Sequence, residues 1–168
     1  MTICDHGSMQ PMEQKVTRRQ MTLILGSLGA VPAHAQIKKA GATIHQEIDF
    51  KTTPARIYET LLDAKQFSAF TKDTAEIQPQ PGAAFRLFGG RIEGRNVELI
   101  PNQRVVQAWR PASWPSGVYS IVRFELVARG PGTRIVLDHA GFPEEQWEHL
   151  SEGWPFNYWG PLHKYLSA

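Results

Sequence analysis

The sequence predicts an α+β fold in which a curved antiparallel sheet of seven strands surrounds one long, kinked C-terminal helix. The helix is indicated by apolar residues that recur every three or four positions between residues 142 and 168, which is the period of one helical face. These residues are Trp147, Leu150, Trp154, Tyr158, Leu162 and Leu166. The sheet is indicated by strand-like segments through most of the region before the helix. The turns between these segments are short, which favours antiparallel neighbours.

The order of the elements follows from local signals. A half-buried strand is predicted at residues 42–50, where apolar and polar side chains alternate. Pro54 suits the first position of a helix over residues 54–62, and a second short helix follows at 63–70. Six further strands are predicted at residues 75–78, 84–88, 91–100, 104–110, 118–128 and 133–140, separated by Gly- and Pro-containing turns.

Two prolines interrupt the predicted C-terminal helix, which begins with Pro143. Pro155 and Pro161 each remove a backbone donor and disfavour a helical conformation at the preceding residue. A kink or a break is therefore expected near residues 153–155. Such a break would act as a hinge that opens a space between helix and sheet.

The first 35 residues have the composition of an export signal. Arg18 and Arg19 precede an apolar run at residues 21–31, and Ala33-His34-Ala35 forms a small-x-small cleavage site. This order predicts a signal peptide of the twin-arginine type at residues 1–35, a mature domain at 36–168, and a periplasmic or secreted location. The apolar run is shorter than the roughly 20 residues that span a membrane, so no anchor is expected after cleavage. The alternative is a disordered tail or an interfacial helix.

The composition excludes several classes of function. The formal net charge is +2, which gives no reason to expect a nucleic-acid surface. Cys4 is the single cysteine and lies in the predicted signal peptide. The histidines lack metal-ligand spacing, so no metal site is expected. The motifs of serine nucleophiles, P-loops and dinucleotide sites are absent, so no cofactor is expected and the sequence favours a non-enzymatic role.

Four segments carry a recognisable set of motifs. Residues 91–109 read RIEGRNVELIPNQRVVQAW, residues 132–139 read GTRIVLDH, residues 54–62 read PARIYETLL, and Gly153-Trp154 is followed by Leu162 and Leu166. Over residues 42–166 they resemble the Hsp90-ATPase-activator-like (AHSA1-like) branch of the START/SRPBCC helix-grip superfamily. The resemblance implies a helix-grip fold that binds a small hydrophobic or amphipathic molecule between the sheet and the C-terminal helix. In eukaryotic relatives this domain acts on the Hsp90 chaperone.

The expected ligand-binding residues are mostly aromatic. Trp109, Trp154 and Tyr158 are predicted to line one apolar cavity. Trp114 lies in a turn bracketed by prolines, where it would either cap the cavity or lie exposed for a partner. For each of these residues, plain core packing is the alternative.

A few polar side chains are predicted to complete the cavity. His139 ends a strand and would be a polar group at the cavity mouth, or would simply hold the turn that follows. Asn96 and Glu98 share one side of their strand and would both enter the cavity if that side faces the helix. The alternative is that this side is solvated.

Three functions remain open from the sequence. The first is an exported domain that binds a small hydrophobic or amphipathic ligand. The second is a protein-interaction module, and the third is an enzyme of the cyclase, dehydratase or hydrolase kind that uses the same cavity. Because one fold supports many functions, the choice depends on the site.

Overall fold

A computed structural model describes residues 42–167. The predicted signal peptide, with Arg18, Arg19, Ala33 and Ala35, lies outside the described residues. The strands are β1 (Thr43–Phe50), β2 (Glu76–Ile77), β3 (Ala84–Leu87), β4 (Ile92–Ile100), β5 (Arg104–Pro111), β6 (Ser120–Arg129) and β7 (Gly132–Ala140). The α-helices are α1 (Pro54–Leu62), α2 (Ala64–Thr71), α3 (Trp147–Trp154) and α4 (Gly160–Leu166). None of the helices in residues 42–167 combines the length and the apolar character that a membrane span requires.

The seven strands form one antiparallel sheet, as predicted. Their order is β1-β7-β6-β5-β4-β3-β2, so the first strand pairs with the last. Side chains alternate between a buried inner face and an outer face, most regularly on β7. The inner face packs against the C-terminal helix, which runs over residues 144–166. This arrangement confirms the predicted helix-grip fold.

The two N-terminal helices are held by their caps and by one apolar stripe each. The side chain of Thr53 accepts a hydrogen bond from the backbone N–H of Arg56, and Pro54 occupies the first turn of α1. The side chain of Asp63 caps α2 in the same way. The buried residues of these helices include Ile57, Leu61, Phe67 and Phe70, which close the end of the core.

Of the kink or break that was expected near residues 153–155, the break is absent, because the C-terminal helix is continuous over residues 144–166. Pro143 is extended and precedes a 3₁₀ turn at Glu144–Gln146. Pro155 keeps helical dihedral angles (φ −59°, ψ −43°) and opens a π-helical turn at Pro155–Trp159, which ends with the Gly160 N–H donating to the Pro155 carbonyl. The helix therefore accommodates Pro155 by widening one turn, and it continues beyond that turn.

A side chain from β1 compensates for the missing proline donor. Pro155 has no N–H for the carbonyl four residues earlier, which belongs to Ser151. The Gln46 Nε2 donates to that carbonyl at 3.2 Å, and the Gln46 Oε1 accepts from the Trp159 indole at 2.6 Å. One amide thus binds the helix on both sides of the proline.

Replacing Gly153 with alanine is expected to stabilise the protein by about 0.5–1 kcal/mol, because glycine in a helix interior costs this much relative to alanine. A Cβ at Gly153 would meet only the Asn157 Nδ2, at 3.7 Å. Gly160→Ala is the matched control, since its Cβ would lie 3.3 Å from the Pro155 carbonyl oxygen. The melting temperature should therefore rise for Gly153→Ala and should rise less for Gly160→Ala. A loss of stability in Gly153→Ala would contradict the helical geometry.

Candidate functional site

Three of the predicted cavity residues meet in a packed aromatic cluster. The ring centroids of Trp109 and Trp154 are 5.1 Å apart, and that of Tyr158 lies 4.9 Å from Trp154 and 6.0 Å from Trp109. The Tyr158 ring also contacts Phe67, Phe70, Phe88, Phe124 and Trp159. Since all these distances are contact distances between rings, side chains fill the space between sheet and helix here.

His139 is joined to this cluster by a directional chain of hydrogen bonds. The Trp154 indole donates to the His139 Nδ1 at 3.3 Å, so the imidazole proton lies on Nε2. The Nε2 faces the Ser120 hydroxyl at 2.8 Å, and this hydroxyl donates to the Trp109 carbonyl at 3.3 Å. Burial lowers the pKa of His139 to about 4, so the ring is neutral at physiological pH. Both ring nitrogens are engaged, which favours the structural role over a free acid or base.

Asn96 is buried on the inner face and belongs to a second polar chain. The Trp109 indole donates to the Gln107 Oε1, and the Gln107 Nε2 donates to the Asn96 Oδ1, both at 2.9 Å. The Asn96 Nδ2 donates to the carbonyls of Gln78 and Gln80. Sequence reasoning did not single out Gln107, although its alternation with Val105 and Trp109 on β5 is the signal that places it on the inner face.

Glu98 lies on the outer face, contrary to the alternative that placed it in the cavity with Asn96. A β-bulge between Asn96 and Glu98 leaves Val97 unpaired with β5. The extra residue shifts the alternation by one, so Asn96 points inward and Glu98 outward. The Glu98 carboxylate accepts from the Arg104 guanidinium at 3.2 Å and extends a row of ion pairs across the outer face. The other members of this row are Glu125, Arg123, Asp138 and His45.

Trp114 is neither exposed nor part of the aromatic cluster. It is 7% exposed, and no ring in residues 42–167 stacks or lies edge-on against it. The Trp114 carbonyl accepts from the Arg110 guanidinium at 2.9 Å, and the same guanidinium is paired with Glu93. The side chain belongs to the hydrophobic core, although no periodic pattern in the turn indicates this.

Two grooves lie on the surface of the described domain. One groove of about 640 Å³ lies beside β2, β3 and β4, and another of about 640 Å³ lies beside the end of β1 and the start of β7. Within residues 42–167, neither groove is lined by Trp109, Trp154 or Tyr158. The same residues hold no group of three acidic, histidine or cysteine side chains that could bind a metal ion.

The Tyr158 hydroxyl is the polar group of the cluster that lacks a protein partner. The side chain is 3% exposed, and burial raises its pKa above the ordinary value for tyrosine. No hydrogen bond joins this hydroxyl to another residue in the described part of the chain. Within residues 42–167 the one buried side-chain nitrogen or oxygen without a partner is the Arg110 Nε, so the Tyr158 hydroxyl keeps some contact with solvent.

Two aromatic residues of the C-terminal helix are exposed instead of buried. Phe156 is 81% exposed and Trp147 is 48% exposed, although the Trp147 indole donates to the Thr43 carbonyl. Phe156 falls two residues after Trp154 and two before Tyr158, outside the apolar stripe. That position in the sequence is the signal that its side chain faces away from the sheet.

Comparisons with known proteins agree with this fold. A crystal structure of an HSP90 activator from Plasmodium falciparum superposes with a TM-score of 0.71 at 22% identity, covering 76% of this chain and 97% of that one. A protein from Mesorhizobium loti superposes with a TM-score of 0.66 at 20% identity, covering 75% of this chain and 97% of that one.

Curated relatives carry names from the same family. The "Activator of 90 kDa heat shock protein ATPase homolog" of Dictyostelium discoideum is 31% identical over 121 residues, which cover 71% of this chain and 32% of that protein. The human homolog 1 is 26% identical over 105 residues, which cover 62% of this chain and 31% of that protein. The chain thus spans about a third of the length of these two relatives. The family described as "Activator of Hsp90 ATPase homolog 1-like protein" matches residues 51–167, and the chain belongs to it.

Proposed function

We propose that this domain binds another protein through the outer face of its C-terminal helix, with Phe156 at the centre of the contact. One observation carries the proposal: the interior is filled by side chains, whereas Phe156 is 81% exposed on the helix that covers it. Phenylalanine is among the residues most often buried, and aromatic side chains are enriched in the cores of interfaces. Pro155 and Gly160 are also exposed beside it, so a partner can approach closely.

The names of the relatives support a protein partner. They are described as activators of a heat-shock protein ATPase, that is, by their action on another protein. This chain spans only about a third of them, so its own partner is not taken from their names. If the chain is exported, the partner is a protein of the periplasm or the exterior.

The test uses a photo-crosslinking amino acid placed at position 156 in the chain in its own cells. We expect one predominant adduct with a second protein species after irradiation. The matched control is the same substitution at Val127, an outer-face residue that is 38% exposed at the far end of β6. Adducts that form equally from both positions, or from neither, would refute a partner at the helix face.

We also propose that the chain is exported and cleaved after Ala35. N-terminal sequencing of the protein from the cell envelope or the medium is expected to begin at Gln36, because Ala33-His34-Ala35 fits the cleavage site. Arg18→Lys with Arg19→Lys should retain the precursor in the cytoplasm if the route is of the twin-arginine type. A cytoplasmic protein with an intact N-terminus would exclude export.

A small amphipathic ligand in the interior is the second candidate function, and the Tyr158 hydroxyl is the observation that favours it. Such a ligand would separate rings of the cluster and pair its polar end with this hydroxyl. Glu98 lies on the outer face of the sheet, where it pairs with Arg104, and would not take part. The resemblance to the family predicts a cavity between the sheet and the helix. Because rings occupy this space, the cavity would form only if the helix moved away from the sheet at the π-helical turn.

Replacing Tyr158 with phenylalanine distinguishes a paired hydroxyl from an unpaired one. If a ligand pairs the hydroxyl, the variant loses that ligand in native mass spectrometry and its stability falls. If no ligand pairs it, the hydroxyl is hydrated, and the variant should differ from the parent in stability by less than about 1 kcal/mol. The ligand candidate predicts the first outcome, and a variant of unchanged stability without any bound molecule excludes it.

A further inference from the structure

The groove beside the end of β1 and the start of β7 is rich in basic side chains. Its charged lining residues are Lys51, Arg129 and Arg134, against one carboxylate, that of Asp49. The groove measures about 640 Å³, which is within the range of about 300–1,000 Å³ that small-molecule sites occupy. Among the described residues that line it, none belongs to the C-terminal helix. We name it the basic groove.

The carboxylate of Asp49 is already bound by Arg134. The Arg134 Nε and Nη2 donate to the two Asp49 oxygens at 2.8 Å each, and the Arg134 Nη1 donates to Glu47 at 2.6 Å. These hydrogen bonds lower the pKa of Asp49, so its carboxylate stays charged and paired. Glu47 lies four residues before Lys51, about 13 Å along a strand, which exceeds the Debye length of about 8 Å in physiological salt. Neither carboxylate is therefore a dedicated partner for the remaining cations of the groove.

Those remaining cations are Lys51 and Arg129. Both are exposed, and neither forms an ion pair with another residue in 42–167. They stand on either side of Gly132, because Arg129 pairs with Gly132 in the register and Lys51 directly follows the β1 residue that pairs with Thr133. Since neighbouring strands are about 4.8 Å apart, the two backbones are separated by about 10 Å across β7. Both long side chains can therefore reach one group placed over Gly132.

The backbone between the two cations is bare and firmly held. A Cβ at Gly132 would lie 2.5 Å from the Phe50 carbonyl oxygen, which accounts for a glycine at this position. Because residue 132 has no side chain, only backbone lies between Lys51 and Arg129. The Thr133 hydroxyl donates to the Thr52 carbonyl at 2.7 Å and ties the segment after β1 to β7. The floor of the groove is thus formed before a ligand arrives, which lowers the entropic cost of binding.

We propose that the basic groove binds a phosphate monoester of a small organic molecule, with the phosphate between Lys51 and Arg129. A phosphate monoester carries a charge of about −2 above its second pKa of about 6, so it compensates both cations, whereas a carboxylate compensates one. Its oxygens can accept two parallel hydrogen bonds from the Arg129 guanidinium and one from the Lys51 ammonium. Pro131, which is exposed at the same groove, offers an apolar surface for the organic part. The inference goes beyond the proposed function, since it uses none of the residues of the helix face.

Titration of the purified protein with phenyl phosphate at low salt, followed by the amide chemical shifts in NMR, tests the proposal. We expect saturable shifts that centre on Lys51, Arg129 and Gly132, since these residues surround the phosphate. Benzenesulfonate is the matched probe, because it has a similar shape and carries only one negative charge. It should bind about tenfold more weakly or less tightly still, since it leaves one cation uncompensated.

Lys51→Gln and Arg129→Gln each remove one of the two cations. Each should lower the affinity for phenyl phosphate about tenfold or more, because a charge-assisted hydrogen bond is lost. Lys51→Arg keeps the charge and should retain binding. Arg86→Gln is the matched control, since Arg86 is exposed, makes no ion pair within residues 42–167 and lies outside the basic groove. These side chains are all exposed, so circular dichroism should show a folded protein in each case.

Three results would overturn the inference. An absence of saturable shifts with phenyl phosphate would show that the groove does not hold this anion. Equal affinity for benzenesulfonate would show attraction of any anion instead of recognition of a dianion. Binding that survives both Lys51→Gln and Arg129→Gln would locate the anion elsewhere. None of these results bears on a protein partner at Phe156, which the crosslink at that position tests separately.

Discussion

Replacing Trp154 with alanine is expected to lower the free energy of unfolding by about 3–5 kcal/mol. Trp154 is 4% exposed and contacts the rings of Trp109, Tyr158 and Trp159 at 5.1, 4.9 and 5.5 Å. Its truncation would leave a cavity and would also remove the donor to the His139 Nδ1. Urea unfolding followed by circular dichroism at neutral pH measures the effect.

Trp147→Ala is the matched control for this prediction. Trp147 lies on the same helix but is 48% exposed, and its indole hydrogen bond to the Thr43 carbonyl is at the surface. Its loss should cost about 1 kcal/mol or less, because surface substitutions and exposed hydrogen bonds contribute little. Equal losses in the two variants would mean that the interior is not packed around Trp154.

The protein is expected to lose about 2 kcal/mol of stability through His139 between about pH 7.5 and about pH 5. The pKa of His139 is lowered from 6.5 to about 4 by burial. Between these values the unfolded chain binds a proton that the folded protein does not bind. Acidification therefore favours unfolding in this range, and the effect levels off below about pH 4.

His139→Gln isolates this contribution, because glutamine does not titrate. Urea unfolding of both proteins at the two pH values measures how much stability each one loses on acidification. The contributions of all other titrating groups cancel when the two losses are subtracted. The variant should be less acid-sensitive than the parent, even if its stability at neutral pH is lower. If the variant and the parent lose the same stability between the two pH values, the pKa of His139 is not lowered in the folded protein.

His45→Gln gives a contrast of opposite sign. The hydrogen bond to Asp138 raises the pKa of His45, which lies at an exposed position. The stability it contributes is present below its ordinary pKa and is lost as the pH rises through the raised value. The His45→Gln variant should therefore be more acid-sensitive than the parent, while His139→Gln is less so.

Local periodicity predicted most of the fold and part of the candidate site. Trp109, Trp154 and Tyr158 meet because each lies at a regular position of a strand or helix whose apolar face was visible in the sequence. The period of 3.6 residues also leaves Phe156 outside that face. Positions that follow a regular period can be assigned without knowing the rest of the structure.

The remaining positions depend on contacts that no local pattern contains. One inserted residue, Val97, reverses the orientation of Glu98, and a bulge of this kind is set by pairing with β5. Trp114 is buried in a turn, where the sequence has no periodic signal. The continuity of the helix through Pro155 depends on Gln46, which lies more than a hundred residues earlier.

The double hydrogen bond of Gln46 has a consequence for the kinetics of folding. It joins residues separated by 105 and 113 positions, and the strand that carries it pairs with β7 along its whole length. Closure of such long loops raises the contact order and slows folding, because the entropy of loop closure is lost before these contacts form. During synthesis, β1 has to wait for both β7 and the C-terminal helix to leave the ribosome. The domain therefore completes its core only after translation has passed the π-helical turn, and amide exchange should show β1 and that turn opening as one unit.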